Sequence, residues 1–345
     1  MQQKSRWPRG HLVGLVLGAM SLGTPIVGLS NPWAVPRDMP APVENAPDAR
    51  RVALGRLLFF DTRLSAKQNM SCASCHNPAL GWSDGLERAI GFNMKQLARA
   101  TPTIVNVGLN KVQMWDGRHA TLEDQVLGPF LSPDEQNLPL EQLEERVRSI
   151  AGYRPLFEQA YPTEGIGAAV IAKAIASFER TLVSTDSPFD RWQQGAQNAV
   201  SESAKRGFAL FTGKARCSLC HQPPNFTDNG FHNIGLKNYG EPEDVGRYAH
   251  LKIAILKGAF KTPTLRDIDL TAPYMHNGVY HTLEDVVEHY VRGGDDKNNL
   301  SPNIVPLDLN AAEKVELVAF MKTLTGMRAA VEVPQLPNRR SASGE

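Results

Sequence analysis

Cysteine is nearly absent: the 345-residue chain has four, and all sit in two pentapeptides, Cys72-Ala73-Ser74-Cys75-His76 and Cys217-Ser218-Leu219-Cys220-His221. None is left over to staple the fold as a disulfide. Net charge is lacking too, since 37 basic against 36 acidic residues leave +1. That balance excludes the basic footprint expected of a nucleic-acid or anionic-membrane binder, and a small molecule or protein partner is expected instead. No segment after the amino terminus is apolar enough to span a bilayer. Strand-like alternation is scarce, so the chain reads as mainly α. Histidine is missing between His76 and His119.

What is present is a repeated chemical motif. Two thiols three positions apart can each form a thioether to one haem vinyl group, and the histidine that follows can then ligate the iron. Cys72, Cys75 and His76 would hold one c-type haem, and Cys217, Cys220 and His221 a second. A thioredoxin-like pair or a four-cysteine zinc site are the alternatives, but neither needs a histidine after the second cysteine in both copies.

At the amino terminus Lys4, Arg6 and Arg9 precede an apolar run from Leu12 to Val27 with small residues after it. This is the layout of a secretory signal, assigned to residues 1–33, and it predicts a periplasmic mature chain. No clean Ala-x-Ala site follows, which places cleavage between Ser30 and Ala34 and leaves an uncleaved membrane anchor as the alternative.

The chain also repeats itself. Thr101-Pro102-Thr103 through Gly117 matches Thr262-Pro263-Thr264 through Gly278 at a constant offset of 161, and both continue into Thr-Leu-Glu-Asp at Thr121 and Thr282. Duplication predicts two cytochrome c-like domains, residues 46–185 and 186–330, with a crossing over Ser184 to Asn198 and a disordered tail at 331–345. Helices are expected before each haem motif, after Thr121 and Thr282 as N-caps, and over Leu140–Ile150, Ile166–Leu182 and Ala311–Leu324. The offset carries Tyr290 back onto Pro129, which has no atom able to bind iron. A ligand available to the second haem is therefore unavailable to the first.

Met114-Trp115-Asp116-Gly117-Arg118, Gly128-Pro129 and Thr271-Ala272-Pro273-Tyr274-Met275-His276-Asn277-Gly278 complete an ordered set with the two pentapeptides. From about Leu54 to Gly326 this set resembles the bacterial dihaem cytochrome c peroxidase and MauG superfamily. The resemblance implies that the first haem meets peroxide, the second passes electrons, and Trp115 lies between them. It also implies that Glu135 is the proton-moving acid and base, with Gln125 orienting bound oxygen. Gln136 departs from the methionine common after this glutamate.

The family's sixth ligand to the second haem falls on Tyr290, where peroxidases proper place methionine and MauG places tyrosine. Met275 is the rival ligand, and a place in the apolar stripe Leu283, Val286, Val287, Tyr290 and Val291 is the structural alternative. Peroxidases proper close the resting first haem with a histidine from the stretch that has none here, which predicts an open first haem. A calcium ion is implied at the carbonyls of Thr271 and Pro273, but Ala100 stands where the family has an asparagine ligand.

The expected activity is a dihaem peroxidase-type oxidoreductase acting on hydrogen peroxide, with a cytochrome c or cupredoxin as donor. MauG-like oxidation of a protein substrate is the alternative, although Ala215 stands where MauG has a tryptophan beside its second motif. A dihaem electron carrier with both irons six-coordinate is the non-catalytic reading.

Overall fold

The structure is a computed structural model that describes residues 31–36, 38–237, 243–327 and 331–339. The expected signal lies almost wholly outside the described residues. No described helix is long and apolar enough to cross a membrane.

Helix α1 (Ala49–Phe60) starts at Asp48, whose carboxylate accepts the N–H groups of Arg50 and Arg51. It runs toward the single-turn α2 (Cys72–Cys75), followed by α3 (Leu122–Leu131), α4 (Leu140–Ser149), α5 (Arg154–Ala160) and α6 (Ala168–Glu179). Leu58, Phe59, Phe130, Val147, Phe157 and Ile175 are among the residues of the core these helices share. Helix α6 buries nearly all its residues, as a helix apolar on most sides must.

A second core gathers around Phe189 of α7 (Pro188–Gln193), Phe211 of α8 (Glu202–Thr212), Leu283 of α9 (Leu283–Val291) and Phe320 of α10 (Ala311–Lys322). The expected helices are present, with boundaries shifted by one to three residues. Strand is confined to one antiparallel pair among the described residues, β1 (Phe231–His232) with β2 (Phe260–Lys261), Phe231 facing Lys261.

The helices that precede the two pentapeptides meet their partners through glycine. A Cβ on Gly55 of α1 would lie 1.8 Å from the Ala174 carbonyl oxygen of α6, and one on Gly207 of α8 would lie 1.9 Å from that of Glu316 on α10. Two backbones pack at a distance no side chain allows.

The 161-residue repeat is conformational as well as chemical. Left-handed backbone recurs at Asn106 and Asp267, at Met114 and Met275, and at Gly117 and Gly278. The bridge between Gln113 and His119 recurs between Tyr274 and Tyr280. Each copy also holds the other by the same bond: Ala100 N–H donates to His276 O at 2.8 Å, and Lys261 N–H donates to Trp115 O at 2.7 Å. An approximate two-fold relation therefore places Trp115 opposite His276, their rings edge to face at 6.4 Å.

The crossing and the tail are both held by hydrogen bonds. The crossing at 184–198 is built into the fold, with Ser184 Oγ donating to Asp267 at 2.9 Å and Phe189 fully buried. The tail, read from composition as disordered over 331–345, is bound wherever it is described. Arg63 donates to Pro337 O at 3.0 Å, Gly152 N–H to Asn338 O at 3.2 Å, and Arg339 to Gln68 at 2.6 Å. The tail is held mainly through its backbone carbonyls, which composition does not report.

Candidate haem centre

Each pentapeptide is folded so that its histidine is aimed and its thiols are presented on one turn. His76 N–H donates to Cys72 O and His221 N–H to Cys217 O, both at 2.9 Å. The imidazoles are then fixed from behind: His76 Nδ1 lies 3.0 Å from Trp82 O and His221 Nδ1 2.8 Å from Phe226 O. A carbonyl only accepts, so Nδ1 carries the proton and Nε2 keeps its lone pair for a metal. Burial holds both imidazoles below their ordinary pKa, in the neutral form that ligates iron.

Burial also pushes the thiols of Cys72 and Cys217 up to about 12 and that of Cys75 to about 11. Such thiols are not the low-pKa thiolates of a redox pair. Nor do the four cysteines converge on a zinc position. The one described cluster of potential metal ligands is Cys220, Asp228 and His232, and it loses Cys220 if that sulfur is a thioether.

Both motifs border one cavity of about 1000 Å³. That volume lies at the upper end for cofactor clefts. Gln125, Pro129 and Glu135 line it in the first half, Val286 and Tyr290 in the second, and Trp115 lies where the halves meet. Glu135 is close enough to Cys75 for its charge to raise that thiol's pKa. Its own carboxyl is raised by burial, against the pull of Arg118 and a Ser132 hydrogen bond. It is suited to exchanging a proton. His119 instead packs against Gly128, away from the cavity-lining set.

In the second half, Tyr290 projects from α9 near Cys217 and Cys220, and burial raises its hydroxyl well above the ordinary value. Met275 also borders the cavity, with its repeat partner Met114 in the same left-handed backbone. Equal conformation in both halves fits a shared packing role. The Tyr290 and Pro129 positions, by contrast, differ in chemistry. Trp115 donates its indole N–H to Ala100 O at 2.9 Å. Thr271 and Pro273 border the cavity, and the side-chain oxygen of nearby Asn277 is buried without a partner.

Gln136, the departure noted after Glu135, lines the cavity together with three residues that sequence reasoning missed. Gln136 donates to Cys72 Sγ at 3.8 Å. Glu179 is buried, with one carboxyl oxygen unpartnered and its pKa raised by burial to about 8. His276 stacks on Phe260 with ring centroids 3.5 Å apart, and Lys261 is buried beside Trp115. The repeat offset held a signal for the last two, because it pairs His276 with Trp115 and Lys261 with Ala100.

The residues present fit a haem at either pentapeptide, and comparison with known proteins agrees. A family model described as di-haem cytochrome c peroxidase matches residues 49–198. Methylamine utilization protein MauG of Methylorubrum extorquens is 46% identical over 303 residues, covering 88% of this chain and 86% of that protein. Cytochrome c551 peroxidase of Nitrosomonas europaea is 34% identical over 328 residues, covering 94% and 93%. The crystal structure of a MauG-like protein associated with microbial copper homeostasis matches with a TM-score of 0.79 at 34% identity, covering 85% of this chain and 95% of that one.

Proposed function

The chain belongs to the dihaem cytochrome c peroxidase and MauG family, and we propose that it carries one c-type haem on each pentapeptide and reacts with hydrogen peroxide at the first. Haem bound at these seats would supply a redox-active iron able to react with peroxide and to exchange electrons. The protein supplies the difference between the two. His76 would hold the first haem, and Pro129 offers no second donor there. His221 and the Tyr290 phenol oxygen would hold the second.

At the first site Glu135 would take a proton from one peroxide oxygen and deliver it to the other, with bound haem supplying the electrons that cleavage of the O–O bond consumes. Burial raises the Glu135 pKa above the ordinary glutamate value, which makes it a better proton acceptor than a solvated carboxylate. Gln125 orients the bound oxygen by hydrogen bonding. Trp115, held by the Ala100 carbonyl at the meeting of the halves, is the aromatic step between the two sites. The contrast of Tyr290 with Pro129 across one cavity carries the reading, and it favours a MauG-like cycle in which the resting oxidised protein meets peroxide directly. The oxidising equivalents pass to a small redox protein or to side chains of a protein substrate.

Calcium belongs to the same proposal, at the Thr271 and Pro273 carbonyls, with the unpaired Asn277 oxygen as the hard donor that Ala100 does not provide. The charged-then-apolar amino terminus supports export to the periplasm.

The test is to mix hydrogen peroxide with the purified, fully oxidised holoprotein and follow its spectrum by stopped flow. A rapid, long-lived change without prior reduction is expected, and Tyr290→Phe should shorten it. No reaction until one haem is reduced would overturn the MauG-like cycle.

A further inference from the structure

Lys261 is a buried amine with few partners among the described residues. Its residue is 8% exposed, borders the cavity, and its ammonium makes one hydrogen bond, 3.2 Å to the carbonyl of adjacent Thr262. Among the described residues it forms no ion pair. Asp228, the acid whose charge it feels, is already committed: one oxygen lies 2.8 Å from His232 Nε2 and the other accepts Gly230 N–H at 2.7 Å. An ammonium removed from water is tolerated when a negative partner enters the same space. None of the described carboxylates that line the cavity pairs with it, and a carboxylate carried by a bound cofactor would supply that partner.

The position of Lys261 says which cofactor. Strand β2 pairs with β1, and the chain enters β1 from Asp228, whose N–H donates to Cys220 O at 2.7 Å. Thr227 on the same segment donates to Thr262 O at 2.7 Å. The lysine is thus carried on backbone fastened to the second pentapeptide. Its repeat partner is Ala100, so the first half has no such charge.

Resting on the reading of a c-type haem at His221, we propose that Lys261 seats a propionate of that haem and raises its reduction potential. A haem brings carboxylates as its own anions, and a fixed positive charge nearby favours the electron-richer state of the iron. Lys261 is therefore a positioning residue, acting on the second haem and leaving the first alone. It would help make the second haem the electron-accepting partner of the pair.

The experiment uses full-length holoprotein with Lys261→Met and Lys261→Arg. Haem content is measured first, then the potential of each haem by spectroelectrochemical titration, then the propionate bending bands by resonance Raman. The expected result is two haems per chain in each protein, a downward shift of the second haem's potential in Lys261→Met with altered propionate bands, no shift in the first haem, and recovery in Lys261→Arg. If Lys261→Met does not load haem, Lys261→Gln is read the same way. Two haems with an unmoved second potential, or a shift confined to the first haem, would overturn this assignment alone. Wild-type protein without two haems would instead overturn the reading on which it rests.

Discussion

The two halves of the molecule share a frame and differ at a few side chains. Both place a helix before the pentapeptide, a carbonyl behind the histidine, left-handed backbone at a methionine and a glycine, and a threonine cap before the next helix. Against that frame the first half has Trp115, Gln125, Pro129 and Ala100 where the second has His276, Val286, Tyr290 and Lys261. The contrast teaches that the fold repeats one frame around both pentapeptides, and that under the proposed function a handful of substitutions gives the two halves different chemistry. One seat has polar groups over it and no second ligand. The other has an apolar wall, a phenol and a buried cation.

The largest effect should come from removing the first half's proposed proton carrier. Glu135→Gln is expected to slow the peroxide reaction by about 10²–10⁴-fold, the usual range for loss of a general acid-base group. Because burial raises this carboxyl's pKa, proton abstraction needs a pH above the ordinary glutamate range. The wild-type rate should therefore rise with pH through that raised value, and the variant should lose this limb. The repeat partner Asp296 accepts the backbone N–H of Asn298 at 2.9 Å and its side-chain amide at 2.7 Å, so Asp296→Asn should leave the rate unchanged. Stopped-flow rates across pH check both.

Stability offers the next contrast. Arg266 is fully buried on Asp190, at 2.7 and 2.8 Å, and also donates to Trp33 O. Its repeat partner is Val105, an ordinary core residue. Arg266→Val would make the halves alike, yet it should destabilise by about 3–5 kcal/mol, since Asp190 would be left buried without its cation. Denaturant unfolding measures this, and Arg266→Val with Asp190→Ala should recover part of the loss. Smaller and matched effects are expected at the helix crossings. Gly55→Ala and Gly207→Ala each drive a Cβ into a facing carbonyl, which should cost about 1–3 kcal/mol apiece through forced separation of the helices. Equal losses would show two cores of equal tolerance.

Much of this was legible in the sequence because the decisive signals are local. The pentapeptides, the caps at Thr121 and Thr282, and the offset linking Tyr290 to Pro129 are all read along the chain. The tail was not, because its contacts use backbone carbonyls of Pro337 and Asn338 that any residue could present. Lys261 and His276 were overlooked for a different reason. A lysine in a mixed segment reads as a solvated charge, and only its burial between the halves reveals an unmatched cation. Glu179 is similar: its raised pKa comes from the helices enclosing it, and nothing in its neighbours along the chain records that enclosure.

The smallest effects should fall at the two caps, and they would sharpen the comparison most cleanly because the caps themselves are equivalent. Thr121 accepts the Asp124 N–H at 3.0 Å and Thr282 accepts that of Asp285 at 3.1 Å. Each alanine variant should lose about 1 kcal/mol in denaturant unfolding, the ordinary value of an N-cap. Their functional readouts should nevertheless diverge. Helix α3 carries Gln125 and Pro129, so Thr121→Ala should loosen the peroxide side and lower the reaction rate without changing the second haem's spectrum. Helix α9 carries Tyr290, so Thr282→Ala should disturb that spectrum first. Equal energetic losses with exchanged readouts would mean that the halves differ in chemistry and not in how they are held. If both variants moved the same signal, the two seats would be coupled through the fold more tightly than their separate cores imply.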